Sequence, residues 1–197
     1  MKFKHYVVSL TLLVAALSAS AQSMPTATQK LQLSVFAGGS GVLTDLDGGK
    51  NLSFTAGADL AYLNFRLFKP AIEVRGSYPV YDGHIDSLKY ILAGPKVEFP
   101  LGRRIHPYAD FLIGRGEIDY NEGLFIVGPV EYISSNTTVY SPGAGVDYDL
   151  FYGFALKGDA QFQHWDSPVV ASGVIHPTVV TLGLNYTFNF NPRGYRH

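Results

Sequence analysis

Val179-Val180-Thr181-Leu182-Gly183-Leu184-Asn185-Tyr186-Thr187-Phe188-Asn189-Phe190, close to the C-terminus, is the stretch that decides the fold. Val180, Leu182, Leu184, Tyr186, Phe188 and Phe190 fall on one side of a two-residue repeat, and Thr181, Gly183, Asn185, Thr187 and Asn189 on the other. A period of two means a β-strand with one apolar and one polar face. Its length matters as well, since a strand of about 9–11 residues tilted by about 45° crosses the hydrocarbon of a bilayer.

The same alternation recurs upstream seven times. Leu31, Leu33, Val35 and Ala37 oppose Gln32, Ser34, Phe36 and Gly38; Leu52, Phe54, Ala56, Ala58, Leu60 and Tyr62 oppose Ser53, Thr55, Gly57 and Asp59. Ile72, Val74, Gly76, Tyr78 and Val80 oppose Ala71, Glu73, Arg75 and Ser77, and Ile91, Ala93, Pro95, Val97 and Phe99 oppose Lys96 and Glu98. Ala109, Phe111 and Ile113 oppose Tyr108, Asp110, Leu112 and Gly114; Tyr140, Pro142, Ala144 and Val146 oppose Ser141, Gly143, Gly145 and Asp147. Leu156, Gly158, Ala160 and Phe162 oppose Lys157, Asp159, Gln161 and Gln163. Three connections are short (63–69, 100–106 and 148–153) and four are longer (39–51, Pro79 or Tyr81 to Ser87, 117–136 and 166–177). The pattern predicts an all-β protein, an eight-stranded antiparallel up-and-down transmembrane β-barrel over 31–190, with both chain ends on the short-turn side. A soluble up-and-down barrel alternates too, but turns its apolar face inward. Uncharged mid-strand apolar faces, aromatics near strand ends and unequal connections favour the membrane form.

The N-terminus reads as an export signal. Lys2 and Lys4 precede the apolar run 6–17, and Ser18-Ala19-Ser20-Ala21 offers small residues for cleavage after Ala21. The expected layout is a signal peptide over 1–21, a periplasmic segment over 22–30, the barrel over 31–190 and a short periplasmic tail over 191–197. Losing Lys2 and Lys4 takes 15 basic residues to 13 against 16 acidic ones, a balance of −3 that gives no reason to expect nucleic acid. The sequence has no cysteine, which excludes disulfides and thiolate chemistry.

Turning the apolar face outward gathers Asp59, Glu73, Arg75, Lys96, Glu98, Asp110, Asp147, Lys157 and Asp159 inside the barrel. Eight strands leave an interior that side chains fill, so these groups are expected to form an ionic plug with Arg75 and Lys96 as hubs. A narrow conduit or a catalytic carboxylate pair is the functional alternative.

Other constellations carry less. His164, Asp166 and Ser167 are hydrolase residue types, but alternate side-chain directions keep them from converging. Alternation turns His164 toward lipid or the interface and Trp165 toward the lumen or loops, where Trp165 reads as an interfacial anchor and not a reaction site. Asp45-Leu46-Asp47-Gly48-Gly49 lacks the spacing of a calcium loop, and Gly38-Gly39-Ser40-Gly41 lacks the helix and lysine of a phosphate loop. His84, His106, His176 and His197 stand singly, so neither a metal nor another cofactor is expected. Loop 117–136 carries Leu124-Phe125-Ile126-Val127 and Tyr132-Ile133, a candidate surface for an extracellular ligand, or else a hairpin extension turning at Gly128-Pro129.

Ser141-Pro142-Gly143-Ala144-Gly145-Val146-Asp147-Tyr148, Leu156-Lys157-Gly158-Asp159-Ala160-Gln161-Phe162-Gln163 and the closing Leu182 to Phe188 resemble the outer-membrane β-barrel family typified by the transmembrane domain of outer membrane protein A and by outer membrane protein X. The resemblance covers nearly the whole mature chain and implies insertion by the barrel assembly machinery, with Tyr186, Phe188 and Phe190 as the insertion signal. The tail after Phe190 departs from that pattern and is too short for a peptidoglycan-binding domain. The expectation is a non-enzymatic barrel in the bacterial cell outer membrane, in contact with its lipid, with an envelope-structural or surface-binding role. A narrow polar or ion-conducting pore is the alternative, and a lipid-modifying enzyme ranks third.

Overall fold

A computed structural model describes residues 31–45, 48–61, 65, 67–81, 86–99, 101, 103–120, 126–127, 130–131 and 133–188. The expected signal peptide, the segment 22–30, the tail 191–197, Tyr62 and Phe190 lie outside the described residues. Eight long strands form the wall: β1 (Gln32–Leu43), β2 (Lys50–Ala61), β3 (Lys69–Tyr81), β4 (Asp86–Glu98), β5 (Ile105–Tyr120), β6 (Ser134–Phe151), β7 (Phe154–Phe162) and β8 (Thr178–Phe188). Each pairs antiparallel with its sequence neighbours, and β8 returns to β1 with Leu33 opposite Phe188 and Leu43 opposite Thr178, so the sheet closes and has no free edge.

The alternation sets the faces. Outward side chains such as Phe54, Ile72, Ile91, Phe111, Leu156 and Leu182 are exposed, Leu182 by 67%, while their inward neighbours are buried. A belt of this size would be an extensive apolar patch in water, and the outward positions through the strand middles carry no charge. This arrangement is the reverse of a soluble barrel: the charges are inside and the hydrocarbon outside. Among the described residues, charge returns to the outer strand face toward one end, where Lys89 Nζ lies 2.8 Å from Asp119 and 3.3 Å from Glu117.

Strand lengths correct the expected connections. Because β1 runs on to Leu43 and β2 begins at Lys50, that hairpin has six connecting residues, and β3 to β4 has only 82–85. Two of the four supposed long loops are therefore strand. The long ones that remain are 121–133, which holds a small antiparallel pair of Ile126–Val127 with Val130–Glu131, and the return from β7 to β8. That pair flanks 128–129, the turn expected if loop 117–136 were a hairpin extension. The β7 and β8 strands continue past the wall as His164–Asp166 and Val174–Ile175, with Trp165 opposite Ile175. At the opposite end β6 and β7 join through Tyr152 and Gly153 alone, both at positive φ (49° and 84°), as a two-residue hairpin of type I′ requires. We call this the turn end and the other the loop end.

Candidate functional site

Inward parity and closure bring eight of the nine expected lumen charges together near the turn end. Arg75, fully buried, donates from Nε to Glu73 Oε1 at 2.6 Å and from Nη1 to Asp159 Oδ1 at 2.6 Å, and its Nη2 lies 3.6 Å from Asp110 Oδ2. The planar guanidinium fork explains why arginine holds this place: it serves carboxylates from β3, β5 and β7 at once. Lys96 Nζ donates to Asp59 Oδ2 at 2.8 Å, with Glu73 Oε2 at 3.3 Å and Asp147 Oδ2 at 3.9 Å. Lys157 makes no hydrogen bond to protein among the described residues. Its Nζ sits 4.5 Å from the Phe36 ring centre and 4.1 Å from that of Tyr108, with Asp147 Oδ1 at 4.0 Å. Two aromatic faces offset part of the cost of burying that ammonium.

Glu98 departs from the expected set. It pairs with Lys69 at 3.0 Å and with His106 at 3.3 Å, at the mouth of the turn end rather than within the network. The inward register explains this, since Glu98 lies one inward step beyond Lys96 and faces Tyr108 across β4 and β5. The buried set is thus Asp59, Glu73, Asp110, Asp147 and Asp159 against Arg75, Lys96 and Lys157. Neutral residues complete it, Asn185 donating from Nδ2 to Asp147 Oδ2 at 3.3 Å. Tyr108 donates its hydroxyl to Asp159 Oδ2 at 2.9 Å, and Gln161 Nε2 reaches Asp110 Oδ1 at 3.0 Å and Asp159 Oδ2 at 3.1 Å. Their inward parity was readable, but without a charge none stood out.

Above the charges lies a belt of hydroxyls: Ser40 Oγ is 2.6 Å from Thr55 Oγ1 and 2.8 Å from Thr181 Oγ1, and Thr55 donates to Ser77 at 3.0 Å. Above that the lumen becomes apolar. Val42, Leu88, Tyr90, Leu92, Leu112, Ile118, Val139, Trp165, Ile175 and Val179 form a buried cluster at the loop end. The expected ionic plug does not extend to this tier, which is apolar. Trp165 points to the lumen as alternation predicts, but it is no interfacial anchor: the residue is fully buried, edge-on to Tyr90 with ring centres 6.1 Å apart, and donates from Nε1 to Gln163 Oε1 at 2.9 Å. It occupies the inward side because Gly116 leaves room there, where any Cβ would meet the indole ring.

The hydrolase types do not converge. Ser167 Oγ pairs with the Tyr120 hydroxyl at 2.9 Å in the interior, Asp166 lies 3.4 Å from Thr137 Oγ1, and His164 faces outward. Among the described residues no group of three or more His, Cys, Asp or Glu side chains is placed to hold a metal ion. The histidines are not all single, however. His164 and His176 are in contact, and His106 lies between Glu98 and Asp149.

No family model matches the chain, and no curated protein matches it by sequence. Solved structures do match by shape. Ail, the attachment invasion locus protein of Yersinia pestis, solved in complex with the heparin analogue sucrose octasulfate, superposes with a TM-score of 0.53 at 15% identity, over 80% of this chain and 99% of that one. Neisserial surface protein A gives 0.51 at 14% identity, over 80% and 97%. A second Ail crystal structure gives 0.50 at 16% identity, over 80% and 99%. At these identities the likeness establishes the fold, a closed eight-stranded transmembrane barrel of the kind that small outer-membrane proteins build.

Proposed function

We propose that this protein is a non-conducting, non-enzymatic barrel of the bacterial outer membrane, with the turn end in the periplasm and the loop end outside the cell, serving an envelope-structural or surface-binding role. The observation that carries this reading is the filling of the lumen above a small cavity at the turn-end mouth, which Gln32, Asp59, Lys96, Glu98, His106 and Asp147 line. Fully buried Arg75 and Lys157 near one end, Ser40 and Gln161 above them, then Leu112, Val139 and Trp165 occupy the cross-section from one tier to the next. An ion entering from the turn end meets an ionic network in which Arg75 and Lys96 hold the carboxylates and Lys157 adds a third buried positive charge. It then faces an apolar tier that offers no replacement for its hydration shell. The ionic network is a structural plug, with Arg75 as its hub, and the narrow pore is the weaker reading.

Planar-bilayer recording tests this. Well-folded protein should give no discrete channel events, and steady unitary conductance would overturn the closed-lumen reading. Single alanines at Leu112 and Trp165 should remain silent as well, because the ionic network beneath them still fills the barrel.

Binding at the cell surface belongs to the loop end, chiefly loop 121–133 and the β7–β8 return. Sulfated-sugar binding, as in the Ail complex, gains no support from the described loop-end residues: Lys89 pairs with Glu117 and Asp119, and Lys50 and Arg115 share that end with Asp45 and Asp166, so acid outweighs base where a polyanion would have to dock. Loop deletion with whole-cell binding assays separates the two roles: lost adhesion supports surface binding, whereas intact adhesion leaves the structural role.

A further inference from the structure

We propose that His164 and His176 form an open site for a divalent transition metal ion, Zn2+ or Cu2+, on the outer face of the barrel at its loop end. The two residues are twelve apart in sequence and meet through strand register. Phe162 pairs with Thr178, and Trp165 with Ile175, so His164 lies directly opposite His176. Both fall on the outward parity, and side chains directly opposite on one face of a ladder are within contact reach.

The geometry is that of two ligands awaiting an ion. His164 Nδ1 and His176 Nε2 point at one another across 3.2 Å, and the rings meet edge to face with centroids 5.1 Å apart. Two imidazole nitrogens bound at about 2.0–2.1 Å in tetrahedral coordination lie about 3.3 Å apart, so an ion enters by a small outward turn of the rings. The nitrogen–nitrogen hydrogen bond that now joins them is the bond the ion replaces.

Asp45 gives the second, independent sign. Metal-bound imidazoles characteristically direct their other ring nitrogen at a carboxylate, which fixes the ring and raises its basicity. At His176 the carboxylate is that of Asp45, whose Oδ2 accepts the His176 backbone N–H at 3.1 Å and lies 3.9 Å from Nδ1, one small side-chain turn short of a hydrogen bond. Asp45 itself sits in the left-handed region, with φ of 61°, in the β1–β2 connection. The carboxylate lies behind the ring and acts as a positioning residue, so the protein supplies two ligands and water completes the shell. Imidazole ligands suit zinc and copper and not calcium or magnesium.

The test is titration of the full barrel in detergent with CuCl2, read by electron paramagnetic resonance, alongside ZnCl2 calorimetry. The expected spectrum carries hyperfine structure from two equivalent imidazole nitrogens. His164→Gln or His176→Gln should each reduce this to one nitrogen and weaken affinity at least tenfold, while His106→Gln, at the opposite end, changes nothing. Asp45→Asn should keep both nitrogens and weaken affinity about tenfold, the effect expected of a supporting carboxylate. Unboiled gel mobility verifies that each variant is folded. Coordination by a single nitrogen in the unmodified protein would overturn the site, as would an unchanged spectrum and affinity in the His164→Gln/His176→Gln double variant.

Discussion

Arg75 and Lys89 are both paired bases, and their surroundings assign them opposite weights. Arg75 is fully enclosed, so removing it strands Glu73 and Asp159 away from water, and breaking a buried network from one side costs about 3–5 kcal/mol. Arg75→Leu should lower the midpoint of urea unfolding in detergent by that amount, and Arg75→Lys should recover only part, since an ammonium cannot reproduce the fork. Lys89 is about a third exposed, and its pairs with Glu117 and Asp119 lie in screened surroundings. Lys89→Ala should cost no more than about 1 kcal/mol in the same measurement. At Gly116 the constraint is space: Gly116→Val drives a branched side chain into the Trp165 ring and Val139. Such overpacking should destabilise the barrel by about 1–3 kcal/mol, read as a lower temperature for conversion of the compact band on gels.

Among the elements, β8 has the most to do, because it closes the barrel and carries the aromatic end. Tyr186 packs on Phe154 at 4.7 Å and on Phe188 at 4.8 Å between ring centres, a cluster on the outer face beside the Tyr152–Gly153 turn. Replacing Phe188 and Phe190 with serine should reduce the amount of assembled barrel in outer-membrane fractions before any loop function changes; undiminished assembly would remove the insertion-signal role. The strands were legible because a half-buried β-strand writes its two environments into alternate residues. What the alternation could not convey was where a strand stops. Gly39 to Leu43 and Asp119 to Tyr120 pair well beyond the stretch that hydrophobicity marks, since backbone pairing continues after the lipid ends. Cross-strand neighbours were hidden for the same reason: His164 meets His176 only through a register that depends on the length of the intervening turn. The charged lumen was legible by parity, and Glu98 was misplaced because parity gives the side and not the depth.

For the whole molecule, closure makes inside and outside complementary: hydrocarbon outside, ions and hydroxyls within, and an apolar tier under the loops. That tier was not evident from the strands alone, because Leu88, Leu92, Leu112 and Trp165 occupy inward positions like any polar residue, and only closure shows that they meet at one height. The division has a thermal consequence. Apolar burial strengthens on warming and then levels off, whereas the penalty for desolvating ions goes on falling, so both ends of the lumen gain on warming and the ionic end keeps gaining after the apolar one has stopped. Heat therefore leaves the turn end as the part that holds longest. The barrel carries two fastenings of different thermal reach, and in the heat the closed wall draws on the ionic one.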